Sequence, residues 1–227
     1  MQSLSFDLNY EGNSERLSDL LQDLYRYYPI GIPNFKEYAG YKEIKNIIDN
    51  KFLNECNNPE SLSNQFAKEI QIRLPEQNIQ NSNNLYFPNY LVFCPILLKE
   101  YSHIRHNCYL EICISLLCKY YTLIFIDQYS FRDFSSPNEF DTVYENYSFQ
   151  KSRARVEDSF LRIVFEEMAR FFPQKEFISH YILCKSCLTE CVPFGEEWSP
   201  NPAQNTYNLY QLLFHYRGGH IKPRILE

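Results

Sequence analysis

The amino-acid sequence predicts an α+β protein, in which an antiparallel β-sheet packs against a helical N-terminal third and one late helix. Apolar side chains recur every three to four residues in the first third of the chain. Runs rich in β-branched and aromatic residues follow in its middle. Helices that precede strands are typical of α+β folds rather than of βαβ units. At 227 residues we expect one continuous domain, with a helical part over 1–75 and a sheet-containing part over 76–227.

Four segments have the apolar stripe of an amphipathic helix. Three of them belong to the helical part: residues 14–28, 40–54 and 59–73. Ser14 provides a capping residue for the first, and Pro29 ends it. The fourth, at 156–172, is the predicted late helix, which Pro173 ends.

The most apolar stretch is CYLEICISLLCKYYTLIFID at 108–127. Its length approaches that of a membrane span, but Glu111 and Lys119 would each cost about 3 kcal/mol at bilayer depth. We therefore divide it into two antiparallel strands, 108–117 and 119–127, that are buried on both faces of a sheet. No membrane association is expected.

Further strands are predicted wherever β-branched and aromatic residues recur between turn signals. They fall at 85–94, near 142–149, at 176–194 as a strand pair or one long strand, and at 205–216. Polar, turn-rich sequences predict loops at 76–84 and 193–205.

The charge and cysteine content of the chain argue against some classes of function. The net charge is −6 and no dense basic run occurs, which argues against nucleic-acid binding, because phosphate contacts need clustered Lys and Arg. The N-terminus does not show the basic and then apolar pattern of a secretory signal. We therefore expect a cytoplasmic protein whose eight cysteines are reduced.

Cys184, Cys187 and Cys191 form a C-x2-C-x3-C sequence, and C-x2-C pairs are common among zinc ligands. A second C-x2-C pair is missing from the sequence, although His103 or His106 would supply a fourth ligand. Small buried thiols are the favoured interpretation, and no metal or other cofactor is expected. The sequence contains no G-x-S-x-G, Walker, G-x-G-x-x-G or H-E-x-x-H motif, so no catalytic residue is predicted.

Loops that combine acidic and aromatic residues predict a protein-binding surface, because carboxylates steer a basic partner and rings anchor it. The predicted partner-binding residues are Asp127, Asp133, Glu139, Asp141, Glu145, Glu196, Glu197 and Trp198.

Two parts of the sequence resemble immunity proteins of bacterial polymorphic toxin systems. One is the strand pattern that runs from Ile114-Ser115-Leu116 through Tyr120-Tyr121-Thr122 to Ile124-Phe125. The other is the late helix together with YNLYQLLF at 207–214. The similarity covers about half of the chain. It implies a cytosolic, non-catalytic protein that binds and blocks one secreted toxin, but it assigns no site residues, because such proteins vary most where they contact their toxins.

The leading hypothesis is therefore an immunity or antitoxin-like protein that occludes a basic cognate toxin. Two alternatives stay open. One is an enzyme that uses a cysteine or a zinc centre near 184–191, and the other is a structural or adaptor module.

Overall fold

The structure, a computed structural model, describes residues 14–82, 85–132, 140–148, 158–201 and 204–214. Its helices are α1 (Ser14–Tyr27), α2 (Ala39–Glu55), α3 (Leu62–Arg73), α4 (Asp158–Phe171), α5 (His180–Lys185) and α6 (Leu209–Phe214). A short 3-10 turn, Phe35–Glu37, precedes α2. The α+β class, the helical first third and the late helix are confirmed.

A mostly antiparallel sheet forms the centre of the protein. Its strands are β1 (Gln80–Asn81), β2 (Asn89–Glu100), β3 (Ile104–Ser115), β4 (Tyr120–Arg132) and β5 (Phe140–Ser148), in the order β1-β2-β3-β4-β5. A two-residue strand, β6 (Glu176–Phe177), adds to β4 in parallel. Two further strands, β7 (Cys187–Thr189) and β8 (Thr206–Asn208), form a small antiparallel sheet of their own.

Both faces of the sheet are covered, which explains why the stretch at 108–127 is apolar throughout. On one face, Cys113 and Ile124 pack with α1, α2 and α6. On the other face, Ile112 and Phe125 pack with α3 and α4. Successive residues of a strand point to opposite faces, so a strand between two layers needs apolar side chains at nearly every position. The predicted strand pair is confirmed, and none of the described helices is long and apolar enough to cross a membrane.

Two lysines, the buried Lys51 and the half-buried Lys175, bind the ends of the central strands. Lys51 Nζ on α2 donates to the carbonyl oxygens of Phe87 and Asn89 at 2.9 and 2.5 Å, just before and at the start of β2. Lys175 Nζ donates to the carbonyls of Ser115 and Cys118 at 2.5 and 2.6 Å, across the turn between β3 and β4. Burial lowers the pKa of both amines, that of Lys51 to about 7. Each lysine satisfies carbonyl groups that a strand end leaves without a ladder partner.

Two strand predictions in the C-terminal part are wrong. Most of 176–194, expected to be one or two long strands, is divided into β6, the short helix α5 and β7. In 205–216, only Thr206–Asn208 is a strand, and Leu209–Phe214 forms α6. Helices α5 and α6 bury leucines, among them Leu183 and Leu212, in the same hydrophobic core that contains residues of α1 and α2. Tertiary packing thus overrides the β-propensity of these segments.

Candidate recognition surface

Asp127, the first predicted partner-binding residue, lies in β4 and interacts within the protein. Its Oδ1 is 2.8 Å from His106 Nε2 on β3, and both side chains are largely buried. The His106 ring stacks on Tyr129, with ring centroids 4.3 Å apart. Asp127, the last residue of the predicted strand 119–127, is thus part of a cross-strand cluster on the sheet.

The remaining acidic residues of this group occupy or flank β5. Glu145 pairs with Gln128 of β4, and Asp141 lies at the register shift beside Thr142. Asp133 and Glu139 lie outside the described residues. Glu145 therefore lies in the strand predicted near 142–149, which is confirmed, and Asp141 lies at the start of the same strand, where the sequence predicted a loop.

Glu196, Glu197 and Trp198 lie on a loop that packs against the N-terminal helices. Both glutamates are exposed, and Glu197 Oε1 is 3.9 Å from Lys36 Nζ. Trp198 is half-buried against a small cluster around Phe35 and Tyr41. This loop is therefore exposed at its acidic tip, whereas Trp198, which the sequence predicts as an anchor for the partner, packs partly against the protein itself.

A second loop, between α1 and the 3-10 turn, lies beside the first. Tyr28, at its start, is buried and donates its hydroxyl to the Leu212 carbonyl at 2.8 Å. Phe35, at its other end, is also buried. Between these anchors, Ile30 and Ile32 are 44% and 43% exposed. Fixed loop ends and exposed isoleucines make this segment a rigid apolar projection.

A backbone hydrogen bond joins the two loops. Gly31 N–H donates to the Glu190 carbonyl at 2.8 Å. On the same loop as Glu190, the Gly195 N–H donates to the Tyr41 hydroxyl at 3.1 Å, and Phe194 packs on the Tyr41 ring. We call residues 29–36 and 190–198 together the two-loop surface. It carries three glutamates against one lysine.

Sequence reasoning identified only Glu196, Glu197 and Trp198 of this surface. It missed Ile30, Ile32 and Glu190. The sequence signal for Ile30 and Ile32 is that Pro29 and Pro33 enclose them. Apolar residues in a proline-bounded loop rarely form a strand or a helix, so they indicate an apolar loop. The contact with Glu190, about 160 positions later, had no local signal.

The far end of the sheet is a second exposed apolar area. Its exposed side chains are Leu98, Tyr101, Ile104 and Phe131. Ile104 and Phe131 are cross-strand partners on β3 and β4. Two charged residues beside them pair within the protein, as Arg105 Nη2 lies 3.1 Å from Glu100 Oε2. This area thus offers apolar contact without the net negative charge of the two-loop surface.

The three late cysteines occupy three different environments. Cys184 is half-buried on α5, Cys187 is exposed at the start of β7, and Cys191 is fully buried. Burial raises the pKa of the Cys191 thiol to about 12. Among the described residues, no group of three or more His, Cys, Asp or Glu side chains is placed to hold a metal ion.

Polar side chains around α5 form an arrangement that resembles a catalytic pair. Cys184 Sγ is 3.1 Å from His180 Nε2, and the His180 ring meets Tyr210 edge-on. The Tyr210 hydroxyl donates to Glu111 Oε1 at 3.2 Å, and Cys113 Sγ donates to the same oxygen at 3.1 Å. Sequence reasoning missed this cluster, because its members come from β3, α5 and α6.

Burial shifts both members of the Cys–His pair toward their neutral forms. It raises the pKa of the Cys184 thiol to about 12 and lowers that of His180 to about 3. A nucleophilic cysteine requires the opposite shifts, because the thiolate is the reactive species. The pair as it stands is suited to a structural hydrogen bond.

His180 makes stability depend on pH. Its folded-state pKa of about 3 lies below the unfolded value of about 6.5, so between these values the unfolded chain binds a proton that the folded protein does not. The free energy of unfolding should therefore fall by about 2 kcal/mol from pH 7 to pH 5 through this residue. Urea denaturation at pH 7 and at pH 5 measures this difference in the free energy of unfolding.

A His180→Leu variant should lack this component, although it loses stability at pH 7. The matched control is His103→Leu, which replaces an exposed histidine and should keep the wild-type dependence. An unchanged pH dependence in His180→Leu would contradict the assignment.

No family model, no curated protein and no solved structure matches this chain. The resemblance to immunity proteins therefore stays a prediction from the sequence.

Proposed function

We propose that this protein is an immunity protein, a non-catalytic inhibitor that binds a cognate secreted bacterial toxin in the cytoplasm and occludes it. The two-loop surface carries the proposal. Its exposed isoleucines and glutamates stand on a backbone fixed by the buried side chains of Tyr28 and Phe35. Clustered exposed apolar groups are typical of protein-binding sites.

Each property of this surface has a role in binding. Ile30 and Ile32 supply apolar area that a partner removes from water. The carboxylates, on a chain of net charge −6, attract a basic toxin and raise its association rate. Because both loops are already held in place, little conformational entropy is lost on binding. An interface of about 1,600 Å² would be of standard size for such a complex and large enough to cover a toxin cleft.

The contact between Cys184 and His180 favours a second candidate, a thiol-dependent enzyme. The raised thiol pKa and the lowered imidazole pKa count against it, because both groups are neutral near pH 7. An adaptor role would use the same two-loop surface with another partner. The identity of the bound protein separates that role from inhibition.

Co-expression with the protein encoded by the adjacent gene tests the proposal. We expect the two proteins to purify together and the present protein to rescue cells from the toxicity of its neighbour. A Cys184→Ser/Cys187→Ser variant should rescue equally well, because occlusion needs neither thiol.

Two outcomes would count against inhibition by binding. One is a neighbour that neither binds nor is neutralised. The other is a cysteine variant that folds and binds the neighbour but no longer protects the cell, which would favour the enzyme. Stoichiometric zinc in the purified protein would also favour the enzyme.

A further inference from the structure

Glu190 has an unusual backbone conformation at the centre of the two-loop surface. Its φ of 55° lies in the left-handed region, which residues with a Cβ rarely adopt outside Asn, Asp and His. Its carbonyl accepts the hydrogen bond from Gly31, which is itself left-handed with a φ of 71°. A glycine at position 190 would avoid this cost. Strained positions of this kind cluster at functional sites, so the glutamate side chain needs an explanation.

The Glu190 carboxylate lies over Gly31. A Cβ atom built on Gly31 would lie 3.1 Å from Glu190 Oε2. Gly31 is flanked in sequence by the exposed residues Ile30 and Ile32. An exposed carboxylate thus lies beside the residue that separates two exposed isoleucines in the sequence.

This arrangement matches the chemistry of a long basic side chain. Lys and Arg have an apolar stem that packs on aliphatic groups and a cationic end that binds carboxylate. The charge around Glu190 is also negative. Glu196 and Glu197 lie on the same loop, and Lys36 is the one basic residue of the two-loop surface.

We propose that Glu190, Ile30 and Ile32 form a docking subsite for one lysine or arginine side chain of the partner protein. This inference rests on the proposed function, because the basic protein it names is the cognate toxin. Glu190 receives the cation, and the isoleucines cover the aliphatic stem. Gly31 is a positioning residue, because any side chain there would meet the Glu190 carboxylate.

The test measures the dissociation constant between the full chain and the purified protein of the adjacent gene, at low salt and at high salt. Glu190→Gln, which keeps the side-chain size and removes the charge, should weaken binding about tenfold at low salt. High salt should shrink that difference, because screening already weakens the wild-type contact. Glu60→Gln, which removes an exposed glutamate beside α3, is the matched control and should bind as the wild type does.

Glu190→Asn introduces a residue type that tolerates the left-handed backbone. A loss of affinity in this variant therefore reports the removal of the charge, even if Glu190→Gln disturbs the loop. Both variants should bind less tightly at low salt. Wild-type affinity in both, or a loss that salt does not change, overturns the subsite and leaves the inhibitor proposal standing. A neighbour that does not bind the wild-type chain overturns both.

Discussion

A Gly40→Ala substitution is expected to destabilise the protein by about 3 kcal/mol or more. Gly40 is the second residue of α2, and a Cβ there would lie 1.8 Å from the carbonyl oxygen of Arg26 and 2.8 Å from the Tyr27 Cα. These atoms are backbone, so no rotamer change relieves the clash. Helices α1 and α2 would have to separate, which would loosen the buried contacts of Leu24 and Ile44.

Urea denaturation of the variant measures this effect. The matched control is Gly195→Ala, whose Cβ would meet nothing within 4 Å but whose φ of 91° is unfavourable for alanine. The control should lose only about 1–2 kcal/mol. A loss below about 1 kcal/mol for Gly40→Ala would mean that α1 and α2 are not packed as closely as described.

The Ile30→Ser/Ile32→Ser variant should bind the proposed partner, the protein of the adjacent gene, about 100-fold more weakly than the wild type. Two exposed apolar anchors at the centre of the two-loop surface would be lost together, whereas folding should change little, because both side chains are partly in water before binding. Titration calorimetry with the protein of the adjacent gene measures the affinity, and urea denaturation checks the fold.

Two controls separate this surface from others. Leu53→Ser removes a leucine on α2 that is 77% exposed, and it should leave affinity unchanged. Ile104→Ser/Phe131→Ser removes the apolar pair at the far end of the sheet and should also leave it unchanged. The surface would be wrongly assigned if the sheet variant lost affinity and the isoleucine variant kept it.

The central strand pair and the first helices could be predicted because their signals are local. The stretch at 108–127 is apolar at nearly every position, as burial on both faces of a sheet requires. The error at 205–216 was avoidable, since Leu209, Leu212 and Leu213 have the i, i+3, i+4 spacing of a helix and all three are buried. The error at 176–194 was harder to avoid, because α5 is a six-residue helix made of residues that also suit strands.

The candidate site was less predictable, because it depends on tertiary contacts. Asp127 is the last residue of the predicted strand 119–127, but β4 continues to Arg132 and the side chain of Asp127 pairs with His106 within the sheet. The strand residues beyond Asp127, QYSFR, lack the apolar run of 108–127, so the local sequence does not indicate this extension. The approach of Gly31 to Glu190 likewise depends on a contact between two loops that are far apart in the sequence, so of this surface only Glu196, Glu197 and Trp198 could be predicted.

Titration of toxin activity with the purified protein tests inhibition by occlusion most directly. Residual activity of the adjacent-gene product is measured against the molar ratio of the two proteins. We expect a linear fall to zero at one equivalent, because each inhibitor covers one toxin. Inactivation by far less than one equivalent would indicate catalytic turnover, and full toxin activity at excess inhibitor would indicate no inhibition. Either result would contradict the proposed function.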